Sequence, residues 1–351
     1  MKKSKGSMGP RIGNHSGEWD APVTRCVIPA AGLGTRLLPA TKSMPKEMLP
    51  ALDRPVIQYV VQEALSAGLS EILLVTGRGK RAIEDHFDHR ADLFAGGDPR
   101  EHLDDLEDLA ERASIHYVRQ RYPNGLADAV YQARHFCPDT PFIVLLGDTI
   151  FTDPPPSSPM AGTSCTRQLV EAMEVVRNPV VSVERVRKSK IGDYGIVELD
   201  PSVESKVKMG GPYASRLRRI RSLVEKPKPS EAPSDLGIVG AYALTPDIFE
   251  AIEKTPPGRN GEVQLTDSLS LLMQTRPIFA FEFDGRRLDV GTKQDWMRAN
   301  LILGLEQEPW RTTILETVRE HPEGRRLLGD GRRSARAPTR TKRRRPMTHA
   351  R

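Results

Sequence analysis

Residues 26–50 read CVIPAAGLGTRLLPATKSMPKEMLP, and this stretch is the most informative part of the chain. The apolar run Cys26–Ala31 predicts a short buried strand that ends in small residues. The two glycines that follow, Gly32 and Gly34, allow backbone N–H groups to approach an anionic ligand closely. Three basic side chains lie on the same loop: Arg36, Lys42 and Lys46. Backbone donors and fixed positive charge together predict a site for a nucleoside triphosphate.

The loop differs from the two common glycine-rich phosphate loops. A Walker A loop ends in Gly-Lys-Ser or Gly-Lys-Thr, and no such tripeptide follows Gly34. A dinucleotide-binding fingerprint has a third glycine at the position where this chain has Leu37. A plain strand-to-helix turn is the simpler alternative. The pair Thr35-Arg36 behind the glycines and the later Pro45-Lys46-Glu47 argue against it.

Composition indicates an ordinary globular protein. The chain has 351 residues, of which 38% are hydrophobic and 28% charged. The longest apolar runs, such as Phe142–Leu146, are too short to span a bilayer, and the basic N-terminus lacks the apolar segment of a secretory signal. The three cysteines, at positions 26, 137 and 165, match neither a disulfide framework nor a metal-binding spacing. We therefore expect a protein of the reducing cytoplasm.

The net charge of +6 comes from the C-terminal end. Residues 331–351 hold nine Lys or Arg and no Asp or Glu, so residues 1–330 carry a net charge of −3. A run such as Lys342–Arg345 can act as an electrostatic arm for nucleic acid, an anionic membrane surface or an acidic partner. Because this end has no aromatic residues for base stacking, we favour a solvated, disordered extension over nucleic-acid contact.

The glycine loop and the segment Lys42–Pro50 resemble the sugar-1-phosphate nucleotidyltransferases, also called sugar-nucleotide pyrophosphorylases. Within that family, Lys42–Pro50 is most similar to the bacterial branch that makes UDP-glucose and pyrophosphate from UTP and glucose 1-phosphate. The resemblance runs from about Val23 to about Leu305. It implies a Rossmann-like α/β fold with a mixed, mostly parallel sheet flanked by helices. It also implies Mg²⁺ as cofactor and a homo-oligomeric assembly.

Alternating strand and helix patterns agree with this fold, because apolar strands joined by helices form parallel sheets covered on both faces. Pro55–Ala67 predicts a helix, since apolar residues share one face and Gly68 follows its end. Glu71–Thr76 predicts a buried strand. The expected segments are a disordered extension (1–20), a nucleotidyltransferase domain (21–310) and a basic, disordered tail (311–351). The domain would have a nucleotide-binding part over about 21–150 and a sugar-binding part over about 151–300.

Three features follow predicted strands, where ligands bind in open α/β sheets. They are the glycine loop, Gln120 and Asp148. Gln120 can offer both a donor and an acceptor to a base edge. The resemblance implies that Gln120 and Gly125 read the pyrimidine. It also assigns nucleotide binding to the start of the chain: Ala30, Ala31, Gly32, Gly34, Thr35 and Lys46.

One departure lies beside the predicted base site. Uridylyl-transferring relatives usually have Gly-Leu-Gly-His-Ala, whereas this chain has Gly125-Leu126-Ala127-Asp128-Ala129. The Gly-Leu-Ala form is closer to the thymidylyl-transferring relatives. A dTTP-using enzyme that makes dTDP-glucose is therefore an alternative, as is an enzyme for another pyrimidine nucleotide or another hexose 1-phosphate.

Two aspartates are the predicted metal ligands. Asp148 ends an apolar strand, where a buried carboxylate is costly unless it is paired or metal-bound. The resemblance adds Asp289, in Leu288–Thr292, as the second ligand. Mg²⁺ binds a few carboxylates together with phosphate oxygens and waters, so two aspartates are sufficient.

The sugar phosphate is assigned by resemblance to Glu225-Lys226-Pro227. Lys226 would neutralise the phosphate and Glu225 would accept sugar hydroxyls, while Gly195 and Gly240 would let the backbone approach the sugar ring. The segment Gly261–Asp267 also matches the family, and its expected role is to shape the sugar pocket or an interface.

The charges predict the mechanism. The sugar phosphate oxygen is already an anion, so its attack on the α-phosphorus needs no general base. Catalysis would then consist of positioning and charge stabilisation by Mg²⁺ and three cations, Arg36, Lys46 and Lys226. A non-enzymatic alternative is a regulatory or nucleic-acid-binding protein on an inactive nucleotidyltransferase fold. The presence of Lys46, Asp148, Lys226 and Asp289 argues against it.

Overall fold

The computed structural model describes residues 19, 22–88, 106, 108–109, 111–201, 216–258 and 261–327. The predicted disordered extension over residues 1–20 lies outside the described residues except for Trp19. The end of the predicted tail, residues 328–351, also lies outside them. The chain divides into two compact units, residues 1–299 and residues 300–351. No helix of the described part is long and apolar enough to cross a bilayer.

The strands of the first unit are short, and most of them belong to one sheet. They are β1 (Arg25–Pro29), β2 (Pro50–Ala51), β3 (Arg54–Pro55), β4 (Glu71–Thr76), β5 (Ser114–Arg119), β6 (Phe142–Leu145), β7 (Thr149–Thr152), β8 (Val180–Arg185), β9 (Gly195–Leu199), β10 (Leu217–Glu225), β11 (Leu236–Leu244), β12 (Phe279–Phe281) and β13 (Arg286–Asp289). The helices with defined bounds are α1 (Val56–Ser66), α2 (Arg81–Phe87), α3 (Leu126–Tyr131), α4 (Cys165–Val176), α5 (Asp247–Lys254), α6 (Leu265–Leu272), α7 (Lys293–Glu306), α8 (Trp310–Glu320) and α9 (Pro322–Leu327).

The main sheet has nine strands in the order β5-β4-β1-β6-β11-β8-β12-β10-β9. The first four are parallel to one another, in the spatial order expected of a Rossmann-like half. β11 then runs antiparallel to β6 and to β8, and β10 runs antiparallel to β12 and β9. The prediction of a mixed α/β sheet is therefore confirmed, with parallel pairing concentrated among the four N-terminal strands β1, β4, β5 and β6.

Both faces of the sheet are covered, which explains the uniformly apolar strands. In β1, Cys26 and Ile28 face a core that also contains α1 and α4, whereas Val27 faces the opposite core with α3, α5 and α6. Successive strand residues point to opposite faces, so a strand buried on both sides must be apolar throughout. β11 is the extreme case, because all nine of its residues are buried.

The second unit corrects the predicted tail. Disorder is the wrong prediction for residues 311–327, which form α8 and α9. Trp310, Ile314 and Val318 recur every fourth residue in α8, and this periodicity is separate from the basic composition of the last residues. Arg311 also donates to the carbonyls of residues 305 and 306, which satisfies acceptors at the end of α7.

Candidate active site

The candidate site lies where the strand order reverses, between β1 and β6. In open α/β sheets the ends of such strands leave a crevice that binds ligands. The glycine loop follows β1, and Gly147-Asp148 follows β6. The two turns touch, because the Gly147 N–H donates to the carbonyl of Pro29 over 3.3 Å. The sequence therefore brings its glycine loop and its predicted metal ligand to one point.

The Lys46 side chain packs against the glycine loop. A Cβ atom on Gly32 would lie 3.4 Å from Lys46 Cε, and one on Gly34 would lie 3.1 Å from Lys46 Cβ. Gly34 also has a φ of +67°, which an L side chain rarely adopts. The Gly34 carbonyl accepts a hydrogen bond from Thr41 Oγ1 over 2.8 Å, which ties the loop to the segment that leads to Lys46.

Lys46 pairs with Asp148 across 102 residues of sequence. Burial alone would lower the pKa of Lys46, but attraction to Asp148 and Glu47 outweighs it and raises that pKa. For Asp148, burial acts to raise the pKa, and the opposing charge of Lys46 lowers it below the usual value. Both groups are therefore charged at neutral pH.

Asp289 ends β13 in the small β7–β13 ladder, where it is paired with Thr149, the residue that follows Asp148. The Val290 N–H donates to the backbone carbonyl of Asp148 over 3.0 Å. Asp289 Oδ1 accepts from the Gly291 N–H at 2.7 Å, and Asp289 Oδ2 accepts from Arg287 at 3.1 Å. These contacts fix the direction of the Asp289 carboxylate.

Asp148 and Asp289 suit a hard divalent cation. Each supplies carboxylate oxygens, and the two residues lie at neighbouring positions of the backbone. Mg²⁺ is usually bound by one or two carboxylates, with phosphate oxygens and waters as its remaining ligands. Within the described residues no group of three or more His, Cys, Asp or Glu could hold a metal ion by itself. The donor set therefore fits an ion that binds together with a phosphate ligand.

A buried ion pair that sequence reasoning missed lies behind Lys46. Lys80 Nζ donates to Glu47 Oε2 over 2.6 Å, and both side chains are buried. Burial raises the pKa of Glu47 although Lys80 and Lys46 oppose that shift. The pair joins the start of α2 to the residue that follows Lys46. It could not be read from the sequence because nothing in the spacing couples positions 47 and 80.

The predicted base-reading residues also lie together. Gln120 follows β5 and is buried, and its Nε2 donates to the carbonyl of Gly125 over 3.2 Å. A Cβ atom on Gly125 would lie 2.5 Å from the carbonyl oxygen of Val263, so only glycine fits there. Val263 exchanges backbone hydrogen bonds with Asn124 and Ala127. The segment Gly261–Asp267 thus supports the loop that carries Gly125, a role the sequence had left open.

The predicted sugar-phosphate residues form a second group. Lys226 has a φ of +43°, and its Nζ lies 2.8 Å from Glu225 Oε1. A Cβ atom on Gly195 would lie 3.2 Å from Glu225 Oε2. Glu225 and Lys226 line a cleft of about 650 Å³ together with Glu262, Gln264 and Asp267. Burial, and then repulsion from Glu225, raise the pKa of Asp267.

Arg287 connects Asp289 to the residues predicted to bind the sugar phosphate. Sequence reasoning did not identify Arg287. Its guanidinium donates to Asp289, to Glu184 and to the hydroxyl of Tyr194. The carbonyl of Tyr194 accepts from the Lys226 N–H over 3.0 Å. Arg287 and Asp289 are two apart on β13 and therefore share a face, which is the signal that could have found Arg287.

The other predicted residues differ in their exposure. Ala30 and Ala31 are buried, and the Ala30 N–H donates to the carbonyl of Val75. Gly240 has a φ of +86°, and its carbonyl accepts from the Leu146 N–H, beside Asp148. Thr35 and Arg36 are exposed. Among the described residues, no hydrogen bond or ion pair joins Arg36 to Asp148, which pairs with Lys46.

Comparison with known proteins agrees with this geometry. The nucleotidyl transferase family matches residues 25–304, so the chain belongs to the nucleotidyl transferase family. Members of this family generally use a divalent metal.

Individual relatives are more specific. The chain is 43% identical over 287 residues to UTP–glucose-1-phosphate uridylyltransferase 2 of Streptococcus pyogenes serotype M3, covering 81% of this chain and 91% of that protein. It is 40% identical over 298 residues to the UTP–glucose-1-phosphate uridylyltransferase of Bacillus subtilis, covering 84% and 95%. The solved UTP-bound UDP-glucose pyrophosphorylase of Acinetobacter baumannii shares 33% identity at a TM-score of 0.73, covering 85% of this chain and 99% of that one.

Proposed function

We propose that this chain transfers a uridylyl group from UTP to glucose 1-phosphate, giving UDP-glucose and pyrophosphate. The observation that carries the proposal is the charged cluster at the strand switch, where Lys46 pairs with Asp148 and Asp289 lies on the adjacent strand. The names of the relatives at 40–43% identity supply the base and the sugar. This is the activity that the sequence resemblance also predicts.

The reaction is an in-line displacement at phosphorus. A phosphate oxygen of glucose 1-phosphate forms a bond to the α-phosphorus, and the bond from that phosphorus to the bridging oxygen of pyrophosphate breaks. The nucleophile is an anion before it binds, so no side chain has to remove a proton. The barrier is repulsion between two polyanions, and the site has to position them and balance their charge.

The cations divide this task. Lys46 packs against the glycine loop and would neutralise the triphosphate, while Lys226 lies beside Glu225 in the cleft and would neutralise the sugar phosphate. Arg36 is exposed at the loop and would add to the field at the triphosphate. Asp148 and Asp289 would hold Mg²⁺, which supplies Lewis-acid charge neutralisation when bound.

The nucleotide can be tested directly. Pyrophosphate release with glucose 1-phosphate and Mg²⁺ is expected to be much faster with UTP than with dTTP, with no release when either substrate is omitted. Equal or faster release with dTTP would instead support the thymidylyl-transferring alternative that the Gly125-Leu126-Ala127 sequence favours. Release with neither nucleotide, across several hexose 1-phosphates, would contradict the proposed activity.

The Lys226→Ala enzyme is expected to lose about 3 kcal/mol of transition-state stabilisation, or about two orders of magnitude in kcat/KM for glucose 1-phosphate. The physical reason is the loss of the cation that faces the sugar phosphate. Steady-state kinetics with varied glucose 1-phosphate would measure it. Lys254→Ala is a matched control, because this exposed lysine on α5 pairs with Glu250 away from the cleft. Near-normal turnover of Lys226→Ala would contradict the assignment.

The setting of the enzyme belongs to the same proposal. The three cysteines are buried and form no disulfide, which supports a reducing cytoplasm. We expect a homo-oligomer, as in the related enzymes, and we still favour a solvated basic end without nucleic-acid contact. Size-exclusion chromatography with light scattering would measure the assembly state.

A further inference from the structure

The side chain of Gln120 is held by Asp128, a residue that differs from the usual family sequence. Gln120 Nε2 donates to Asp128 Oδ2 at 2.6 Å and to the carbonyl of Gly125 at 3.2 Å. Gln120 is 6% exposed and therefore has little freedom to choose other partners. Asp128 lies in the first turn of α3, which fixes its position relative to Gln120.

These two contacts determine which end of the Gln120 amide remains available. A backbone carbonyl and an ionised carboxylate only accept hydrogen bonds, so the NH₂ group must face both of them. Each of the two N–H bonds then has a partner. Among the described residues, Gln120 Oε1 has no hydrogen-bond partner. A glutamine without such partners could rotate its amide by half a turn and offer a donor instead.

We propose that Asp128 is a positioning residue that sets the base selectivity of the nucleotide site by locking the Gln120 amide with its oxygen toward the base. This rests on the proposed uridylyl-transfer function and on Gln120 as the base reader. An acceptor at that place matches the N3–H donor of uracil. Cytosine carries a lone pair at N3, and two facing acceptors repel each other. The lock therefore selects UTP over CTP.

The same argument separates two kinds of selectivity. Uracil and thymine have the same N3–H donor and the same carbonyl acceptors, and they differ only at C5. An acceptor fixed by Asp128 therefore accepts both bases. The departure from Gly-Leu-Gly-His at residues 125–128 alters how the amide is held, and UTP and dTTP must be distinguished elsewhere in the site.

Asp128 also has a purely structural alternative. A carboxylate in the first turn of a helix interacts favourably with the helix dipole and stabilises the helix whether or not Gln120 is present. Such a role would change the melting temperature and leave the ratio between nucleotides unchanged. The ratio of kcat/KM for UTP to that for CTP is therefore the readout that distinguishes the two roles.

The test compares Asp128→Asn and Asp128→Ala with the wild-type enzyme, using UTP and CTP with glucose 1-phosphate and Mg²⁺. Asparagine keeps the size of the side chain but can donate as well as accept a hydrogen bond. The Gln120 amide can then rotate by half a turn and exchange the positions of its oxygen and nitrogen. Alanine removes the acceptor. Both variants are expected to narrow the UTP-to-CTP ratio by about tenfold or more, the effect of losing one orienting hydrogen bond to a charged group. Asp139→Asn, an exposed aspartate that precedes β6, is the matched control.

Calorimetric Kd values for UTP and CTP provide the same comparison without turnover, so the inference can fail while the proposed activity stands. A ratio that narrows in both Asp128 variants and stays unchanged in the control would support the lock. A ratio within twofold of wild type in either folded Asp128 variant would overturn it. A wild-type enzyme that turns over UTP and CTP equally well would also overturn it.

Discussion

Replacing Lys80 with methionine is expected to lower the free energy of unfolding by about 3–5 kcal/mol, because it leaves a buried carboxylate without its counter-charge. Lys80 Nζ lies 2.6 Å from Glu47 Oε2. The second oxygen, Glu47 Oε1, is buried with no hydrogen-bond partner among the described residues. Without Lys80, Glu47 would have to take up a proton or move toward water.

Either response would disturb the active site. Glu47 directly follows Lys46, and its Cγ would lie 3.3 Å from a Cβ atom on Gly147, next to Asp148. Movement of Glu47 would therefore shift both partners of the Lys46–Asp148 pair. We therefore expect Lys80→Met to lose activity as well as stability, although the Lys80 side chain itself is buried.

Chemical denaturation of the Lys80→Met protein would measure the loss. Arg81→Met is a matched control, because Arg81 is the next residue and its pair with Asp85 is exposed, so it should change the free energy of unfolding by about 1 kcal/mol or less. The double variant Glu47→Met with Lys80→Met should recover much of the stability, since removing both charges leaves none unpaired. A free energy of unfolding for Lys80→Met within about 1 kcal/mol of the wild-type value would contradict the argument.

The sequence predicted the local elements well where the pattern was strong. The helix expected over Pro55–Ala67 is present at Val56–Ser66, and the strand expected over Glu71–Thr76 has those bounds. In both cases the apolar period and the flanking residues determine the element locally. The mixed α/β class followed from the same patterns and from the family resemblance.

Long-range contacts were a different matter. All nine residues of β11 are buried, and in the sequence they form a nearly continuous apolar run. Such a run does not indicate that β11 pairs antiparallel with β6 in the middle of the sheet. The Glu47–Lys80 pair and the contact of Gly125 with Val263 depend on that arrangement. The helices of the second unit were missed because the basic composition of the last residues was extended over a segment that has its own helical period.

At the candidate site, the sequence predicted the charged residues that the structure brings together and missed the residues that hold them in place. Lys46, Asp148 and Asp289 follow from motifs, and the structure brings them together. Arg287 orients Asp289, Asp128 orients Gln120, and Lys80 neutralises the charge of Glu47. Such supporting residues act through one contact each, so they have no motif of their own.

Replacing Lys46 with methionine is expected to lower kcat by about two to three orders of magnitude, the effect of removing one preorganised group that stabilises transition-state charge. Lys46 packs against the glycine loop and donates to Asp148, and attraction to Asp148 and Glu47 raises its pKa and keeps it charged. Methionine has a similar length and no charge, so the loop should keep its shape while the proposed triphosphate site loses a positive charge. Steady-state and single-turnover kinetics would measure the loss in kcat.

The charge and the shape can be separated with a second variant. Lys46→Arg keeps the positive charge but spreads it over a planar group, so it should lose less activity than Lys46→Met while remaining below wild type. The thermal stability of Lys46→Met and of Lys46→Arg should be measured together with their kinetics. Asp148 loses its charged partner only in Lys46→Met, so only that variant should lose stability for this reason.

The pH dependence gives an independent check. The pKa of Lys46 is raised above the ordinary lysine value of about 10.4, so its charged form persists to higher pH than in a free side chain. Activity should therefore show no decline from deprotonation of Lys46 between pH 7 and pH 9, and a decline in that range must come from another group.

If Lys46→Met kept more than a tenth of the wild-type kcat, the charge stabilisation would belong to the other cations of the site, Arg36 and Lys226.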